Sequence, residues 1–181
     1  MCLNLRIWSE NIRISDFMYT AYHVNEHRGT IQIVYAKGKK QWLGSAFYFW
    51  QDFEFAKEWV SVKKYNKTDI YTVQLELDFQ TDENLIDTVF NEQHYYEFVK
   101  TIESFADYFV RKSNFKPSLE DFTEFIYKFG IWKEIKAIRF QDLPQNDKKD
   151  YLKVKNFFYK KRIQIALYDK ELISTFTIIT L

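Results

Sequence analysis

The period of the hydrophobic pattern changes along this chain in a fixed order, and that order restricts the fold more than any other feature. Residues 17 to 24, FMYTAYHV, and 30 to 36, TIQIVYA, are β-branched and aromatic runs parted by the polar turn NEHRG, and both read as strands. After KGKKQ, the run WLGSAFYFW opens on small residues and ends on aromatics, which predicts a strand pressed closely against another element. In QDFEFAKEWVSVKKY, Phe55, Ala56, Trp59 and Val60 recur at helical spacing, with acids near the start and Lys63 and Lys64 near the end to suit the helix dipole. IYTVQLELDF, 70 to 79, sets Ile70, Thr72, Gln74 and Glu76 against Tyr71, Val73, Leu75 and Leu77, the period of a half-buried strand with one wet face. From Glu83 to about Gly130 the pattern is helical, with Phe98, Ile102, Phe105 and Phe109 on one stripe. A second helix is predicted after Pro117, with Ser118 as N-cap, Asp121 in its first turn and Gly130 as its stop. EIKAIRF (134–140), RIQIALYD (162–169) and LISTFTIIT (172–180) return to strand character. Strands and helices do not alternate regularly, so the chain reads as α+β with an antiparallel core sheet rather than as a doubly wound α/β sheet.

Composition narrows the class further. With 181 residues, four Gly and two Pro, no repeat and no linker-like stretch, the chain reads as a single domain over 1–181 with a helical insert at about 83–130. Thirteen Tyr, eighteen Phe and five Trp make 20% of the residues aromatic, enough large rigid side chains for a substantial core and too many for a disordered chain. The balance of 26 basic against 25 acidic residues gives net +1, which argues against nucleic-acid binding by global charge and leaves only a local basic patch open. Cys2 has no disulfide partner, which fits a reducing compartment and a cytoplasmic location, and three His with one Cys make a structural metal site improbable. The opening MCLNLRIWSENIRISDF carries charges within its apolar run and lacks a signal-peptide core and cleavage motif, and no stretch approaches the ~20 apolar residues of a membrane span. Neither export nor a membrane partner is expected.

Common site signatures are missing: there is no Gly-rich phosphate loop, no GxSxG elbow, no HExxH and no Cys/His nucleophile pair. What remains is an ordered trio. His23 closes the strand AYHV, Tyr48 sits inside LGSAFYFW just before a helix, and Gln164 sits in RIQIALYD near the C-terminus. That trio resembles the ADP-ribosyltransferase fold in its His-Tyr-Glu branch, shared by poly(ADP-ribose) polymerases, diphtheria-type toxins and many bacterial domains. Tyr22-His23-Val24 stands where the family has Tyr-His-Gly. Gly44-Ser45-Ala46-Phe47-Tyr48-Phe49 matches Gly-x-Gly-φ-Tyr-Phe with Ala for the second Gly, the most specific of the matches. Ala56-Lys57-Glu58-Trp59 and LELDFQTDENLID follow in the family's order, and Gln164-Ile165-Ala166-Leu167-Tyr168-Asp169 replaces the acid of Glu-φ-φ-φ-Tyr-Asp with an amide.

The resemblance implies two antiparallel sheets around a cleft for NAD, used as a substrate. It implies that His23 hydrogen-bonds a ribose of NAD, that the main chain at Val24 meets the nicotinamide amide, and that Tyr48 stacks on the nicotinamide ring, with Tyr35 as a second-wall candidate. Gln164 would orient a ribose hydroxyl without supplying charge. A carboxylate at about 4 Å and an effective dielectric near 20 attracts the developing cation by roughly 4 kcal/mol, about a thousandfold in rate. Three readings therefore stay open: a slower mono-ADP-ribosyltransferase, one that borrows Asp142, Asp169 or Glu171, or a catalytically silent module that binds nucleotide or RNA. The enzyme reading takes a protein or nucleic acid as acceptor, and small free-standing domains of this kind resemble toxins and phage-defence effectors, which implies an antitoxin or regulator as partner.

Plainer readings accompany each residue. His23 can be a satisfied histidine at a strand end, Tyr48 a core aromatic, and Gln164 a solvent-facing strand residue. Alternation places Tyr48 on one face with Ala46 and Trp50, and Phe47 with Phe49 on the other. The stretch 147–162, DKKDYLKVKNFFYKKR, mixes Lys and Arg with aromatics as a nucleic-acid surface would, and equally as a solvated charge run would. Lys37, Lys39 and Lys40 extend that patch or form a turn.

Overall fold

The structure is a computed structural model that describes residues 18–37, 41–63, 65–113, 117–142 and 161–180. Its order is β1 (Met18–Glu26), β2 (Phe47–Trp50), α1 (Phe53–Lys63), β3 (Thr68–Glu76), β4 (Leu85–Asp87), α2 (Glu92–Ser113), α3 (Leu119–Lys128), β5 (Ala137–Gln141), β6 (Ile163–Leu167), a 3-10 turn (Lys170–Leu172) and β7 (Ile173–Thr180). The strands form one seven-stranded sheet in the order β4-β5-β6-β2-β1-β3-β7, and all pairs are antiparallel except β4 with β5. The fold is α+β, as the periodicity predicts. The two separate sheets expected from the resemblance are instead one sheet, because Tyr22 pairs with Trp50 and joins the halves.

That junction is narrow. β1 pairs with β3 over its whole length, from Met18↔Glu76 to Glu26↔Thr68, and β2 pairs with β6 from Phe47↔Leu167 to Trp50↔Gln164. Between β1 and β2 the register among the described residues is the single pair Tyr22↔Trp50. Past it the strands diverge, and the chain after β1 occupies the gap.

This explains why 30–36 is not the strand its β-branched run predicts. Its alternate amides find other partners: Gln32 N–H donates to the Tyr71 hydroxyl (3.1 Å), Val34 N–H to His23 Nε2 (3.1 Å), and Ala36 exchanges a pair of bonds with Ala46 (2.9 and 3.1 Å). The segment is extended, but side chains take the place of a neighbouring strand.

Residues 85–87 also depart from expectation, as a strand inside the stretch read as helical. They pair with Ala137, Ile138 and Arg139, and the Asp87 carboxylate takes the Arg139 guanidinium, which fixes the register. Beyond them α2 and α3 form the expected hairpin, with Phe105, Phe122 and Ile126 buried and Ile102, Phe109 and Phe125 packed against them. Ser118 caps α3 in a reciprocal box with Asp121, and Gly130 follows with φ +65°, as the sequence predicts.

The core divides by face. Phe49, Tyr71, Val73, Leu75, Ile165 and Leu167 lie on one side of the sheet. On the other, Trp50 and Ile70 pack beneath α1 with Tyr22, Val24 and Trp59, while Ala46, Ile138, Phe140 and Ala166 pack with Tyr48. The predicted wet face of β3 is therefore covered at Ile70 and becomes exposed only by Glu76. No helix among the described residues is long and apolar enough to cross a membrane.

Candidate functional site

Where β1 and β2 separate, the surface opens into a cleft of about 360 Å³, within the range of small-molecule sites. Residues from three adjacent strands line it: His23, Val24 and Asn25 of β1, Tyr48 and Trp50 of β2, and Gln164 of β6, with Trp59 and Lys63 of α1 on one wall and Phe140 and Asp142 on the other. The β2–β6 register places Gln164 opposite Trp50 and Ala166 opposite Tyr48, so Gln164 and Tyr48 are diagonal neighbours on one sheet face. A groove of about 420 Å³ between α2 and α3 is larger. Its charged lining consists of helix-surface side chains, Lys112, Asp121, Glu124 and Lys128, rather than groups converging from several strands.

His23 is 5% exposed, and both of its ring nitrogens are bonded to main chain. Nδ1 lies 2.8 Å from the Tyr48 carbonyl oxygen, to which it must donate, and Nε2 accepts from Val34 N–H. Only the neutral ring satisfies both bonds. Burial disfavours the cation and pulls the pKa down from 6.5 to about 4, against the hydrogen bond to the Tyr48 carbonyl that favours it. Its ring packs near Phe49 and Tyr71. The imidazole therefore replaces a ladder hydrogen bond where the strands part, and it contributes to the cleft by holding the walls in place.

Tyr48 lies half-buried with its ring edge-on to Phe140, and its hydroxyl donates to Gly44 O (2.7 Å) and accepts from Leu43 N–H (3.2 Å). Burial raises its pKa, so the phenol stays protonated. Val24 packs against the Trp50 and Ile70 cluster beneath α1 and lines the cleft beside it. Tyr35 lies outside the cleft lining. Its hydroxyl donates to Ser45 O (2.7 Å) and its ring is edge-on to Phe47.

Of the carboxylates Asp142, Asp169 and Glu171, Asp142 lines the cleft. It forms a partly buried pair with Arg162 at 3.1 Å, two register positions from Gln164, and burial holds its carboxyl above the usual range despite that guanidinium. Asp169 instead caps the 3-10 turn through Glu171 N–H, and Glu171 is exposed. Arg162 also stacks over Trp50 and Phe55 at 5.2 and 5.7 Å.

The cleft holds further groups that belong to no motif. Asn25 is 8% exposed, and its Oδ1 has no hydrogen-bond partner among the described residues. Its signal in sequence is its position two residues beyond His23, on the same side of the strand. Trp50 and Trp59 stand 5.8 Å apart, with the Lys63 ammonium 4.6 Å over Trp59. Arg28 and Lys63 add positive charge at the cleft. Residues 143–160, with most of the basic aromatic stretch, and Lys39 and Lys40 lie outside the described residues. Among those described, no three His, Cys, Asp or Glu are grouped to hold a metal ion. The chain matches no family model, no curated protein and no solved structure in the three comparisons made.

Proposed function

We propose that the protein is an NAD-dependent mono-ADP-ribosyltransferase that acts on a macromolecular acceptor. The observation that carries this reading is the convergence of Val24, Tyr48 and Gln164, from three neighbouring strands, on one cleft where the sheet divides. Tyr48 offers an aromatic ring to nicotinamide, the main chain at Val24 meets its amide, and the Gln164 carboxamide holds a ribose hydroxyl. Asn25 brings an unpartnered acceptor, and Arg28 and Lys63 bring charge for the pyrophosphate. His23 acts through position: with both nitrogens bonded to main chain, it holds β2 and the 30–36 segment around the substrate.

In the reaction the bond from the ribose carbon to nicotinamide breaks, nicotinamide leaves with its bonding pair, and the acceptor nucleophile bonds to that carbon and gives its proton to solvent. With an amide at 164 and Asp142 engaged by Arg162, electrostatic support for the developing cation is weak, which favours a slow enzyme and gives a second reading, a silent nucleotide binder, its footing. The decisive experiment heats purified protein with and without millimolar NAD and follows free nicotinamide in the same sample. A raised melting temperature with nicotinamide release supports the transferase. Stabilisation alone supports the silent binder, and no shift overturns both. An antitoxin or regulator as partner, and a place in phage defence, belong to the same proposal.

A further inference from the structure

Three successive carbonyl groups just before β2 are each held by a phenol. Tyr168 donates to Leu43 O at 2.9 Å, Tyr48 to Gly44 O at 2.7 Å and Tyr35 to Ser45 O at 2.7 Å. Tyr127, from the last turn of α3, donates to the same Ser45 oxygen at 3.3 Å, and that oxygen has two lone pairs to accept both. Burial is the main cause that raises the pKa of Tyr48, Tyr127 and Tyr168, so these hydroxyls remain donors throughout the physiological range.

Gly44 makes this clustering sterically possible. Its φ of +75° lies in the left-handed region, and a Cβ there would come within 2.7 Å of Tyr127 Cε2. Without a side chain at 44, the ring of Tyr127 closes directly over the turn and packs edge-on against Tyr168 at 5.6 Å. Tyr48 is tied to the same turn at both Leu43 and Gly44, so a shift of the turn carries its ring along. Tyr35, Tyr48 and Tyr168 belong to the sheet and its loops, whereas Tyr127 belongs to the helical hairpin.

We propose that Tyr127 is a positioning residue of the cleft: it ties α3 to the Leu43–Ser45 turn, so that the aim of the Tyr48 ring depends on how the hairpin is seated. Its functional consequence rests on the reading of the cleft as an NAD site. The test is Tyr127→Phe, which keeps the ring and removes the hydroxyl. Amide hydrogen exchange is followed at Leu43, Gly44 and Ala46, each of which donates a hydrogen bond, and NAD affinity is measured by calorimetry.

The expected result is exchange about fivefold faster at these three amides, the loss expected for one hydrogen bond, with β3 amides unchanged. NAD should bind several-fold more weakly, with the melting temperature lowered by no more than the few degrees that one hydrogen bond accounts for. Unchanged exchange at the turn overturns the proposal, as does acceleration spread evenly over the whole chain, which would mark an ordinary stabilising contact. A loosened turn with undiminished NAD affinity overturns the positioning role. Failure of the wild type to bind NAD overturns the proposed function alone, since the exchange experiment uses no ligand and still decides whether Tyr127 holds the turn.

Discussion

His23 Nδ1 and the carbonyl oxygen of Tyr48 lie 2.8 Å apart at the point where β1 and β2 stop pairing, so one imidazole takes over from the main-chain ladder. The bond is made by a neutral ring whose pKa lies near 4, and the consequence is a defined pH dependence.

Unfolded, His23 titrates near 6.5; folded, near 4. Between these values the unfolded chain binds more protons, so stability rises with pH through this window and is lost as the pH falls from 6.5 toward 4. The full difference is about 3 kcal/mol. Denaturant melts at pH 6.5 and 4.5 should show the loss, and His23→Gln should flatten the slope while lowering stability at pH 7. An equally steep slope in the variant would remove His23 as its source.

Gln164→Glu places a carboxylate beside Tyr48. If the cleft carries out ADP-ribosyl transfer, nicotinamide release should rise by roughly a hundredfold to a thousandfold, the scale of one charge in a partly shielded site. Chromatography of nicotinamide against time measures it. A silent binder would bind NAD without this gain.

Arg139 is clamped by Asp87, which also accepts from Val89 and Phe90 N–H, and stacks 4.2 Å from Phe79 and 4.8 Å from Phe90. Burial raises the Asp87 carboxyl, but Arg139 and the two amides outweigh it and hold its pKa low. Asp87→Ala leaves a guanidinium buried with no counter-charge and should cost about 3–5 kcal/mol in urea unfolding, far more than an exposed ion pair. A loss near zero would mean that Arg139 finds solvent.

Gly44→Ala places a methyl 2.7 Å from Tyr127 Cε2 at a positive φ, and should destabilise by about 1–3 kcal/mol. Adding Tyr127→Ala should recover the steric part and leave the backbone part, so the two effects should be non-additive in thermal unfolding.

Ser118→Ala removes the oxygen that accepts from Asp121 N–H at the start of α3. The expected loss is about 1 kcal/mol, read from chemical denaturation, with a smaller loss for Ser118→Gly.

Elements whose signals are local can be read from the residues alone. The Phe55–Val60 spacing marks α1, Ser118 and Asp121 mark the start of α3, Gly130 marks its end, and the alternation around Tyr48 sorts β2 into its two faces. The sequence also named Val24, Tyr48, Gln164 and Asp142 before geometry gathered them at one cleft. Tertiary structure decided what depends on partners far along the chain. The run 30–36 has the residues of a strand, yet its amides end on Tyr71 and His23, which no local pattern encodes. Residues 85–87 became a strand because Arg139, some fifty positions away, holds Asp87. The His23 ring, a ligand candidate by motif, was turned to the main chain because β1 and β2 diverge beyond one pair and a buried imidazole must satisfy both nitrogens where it lies.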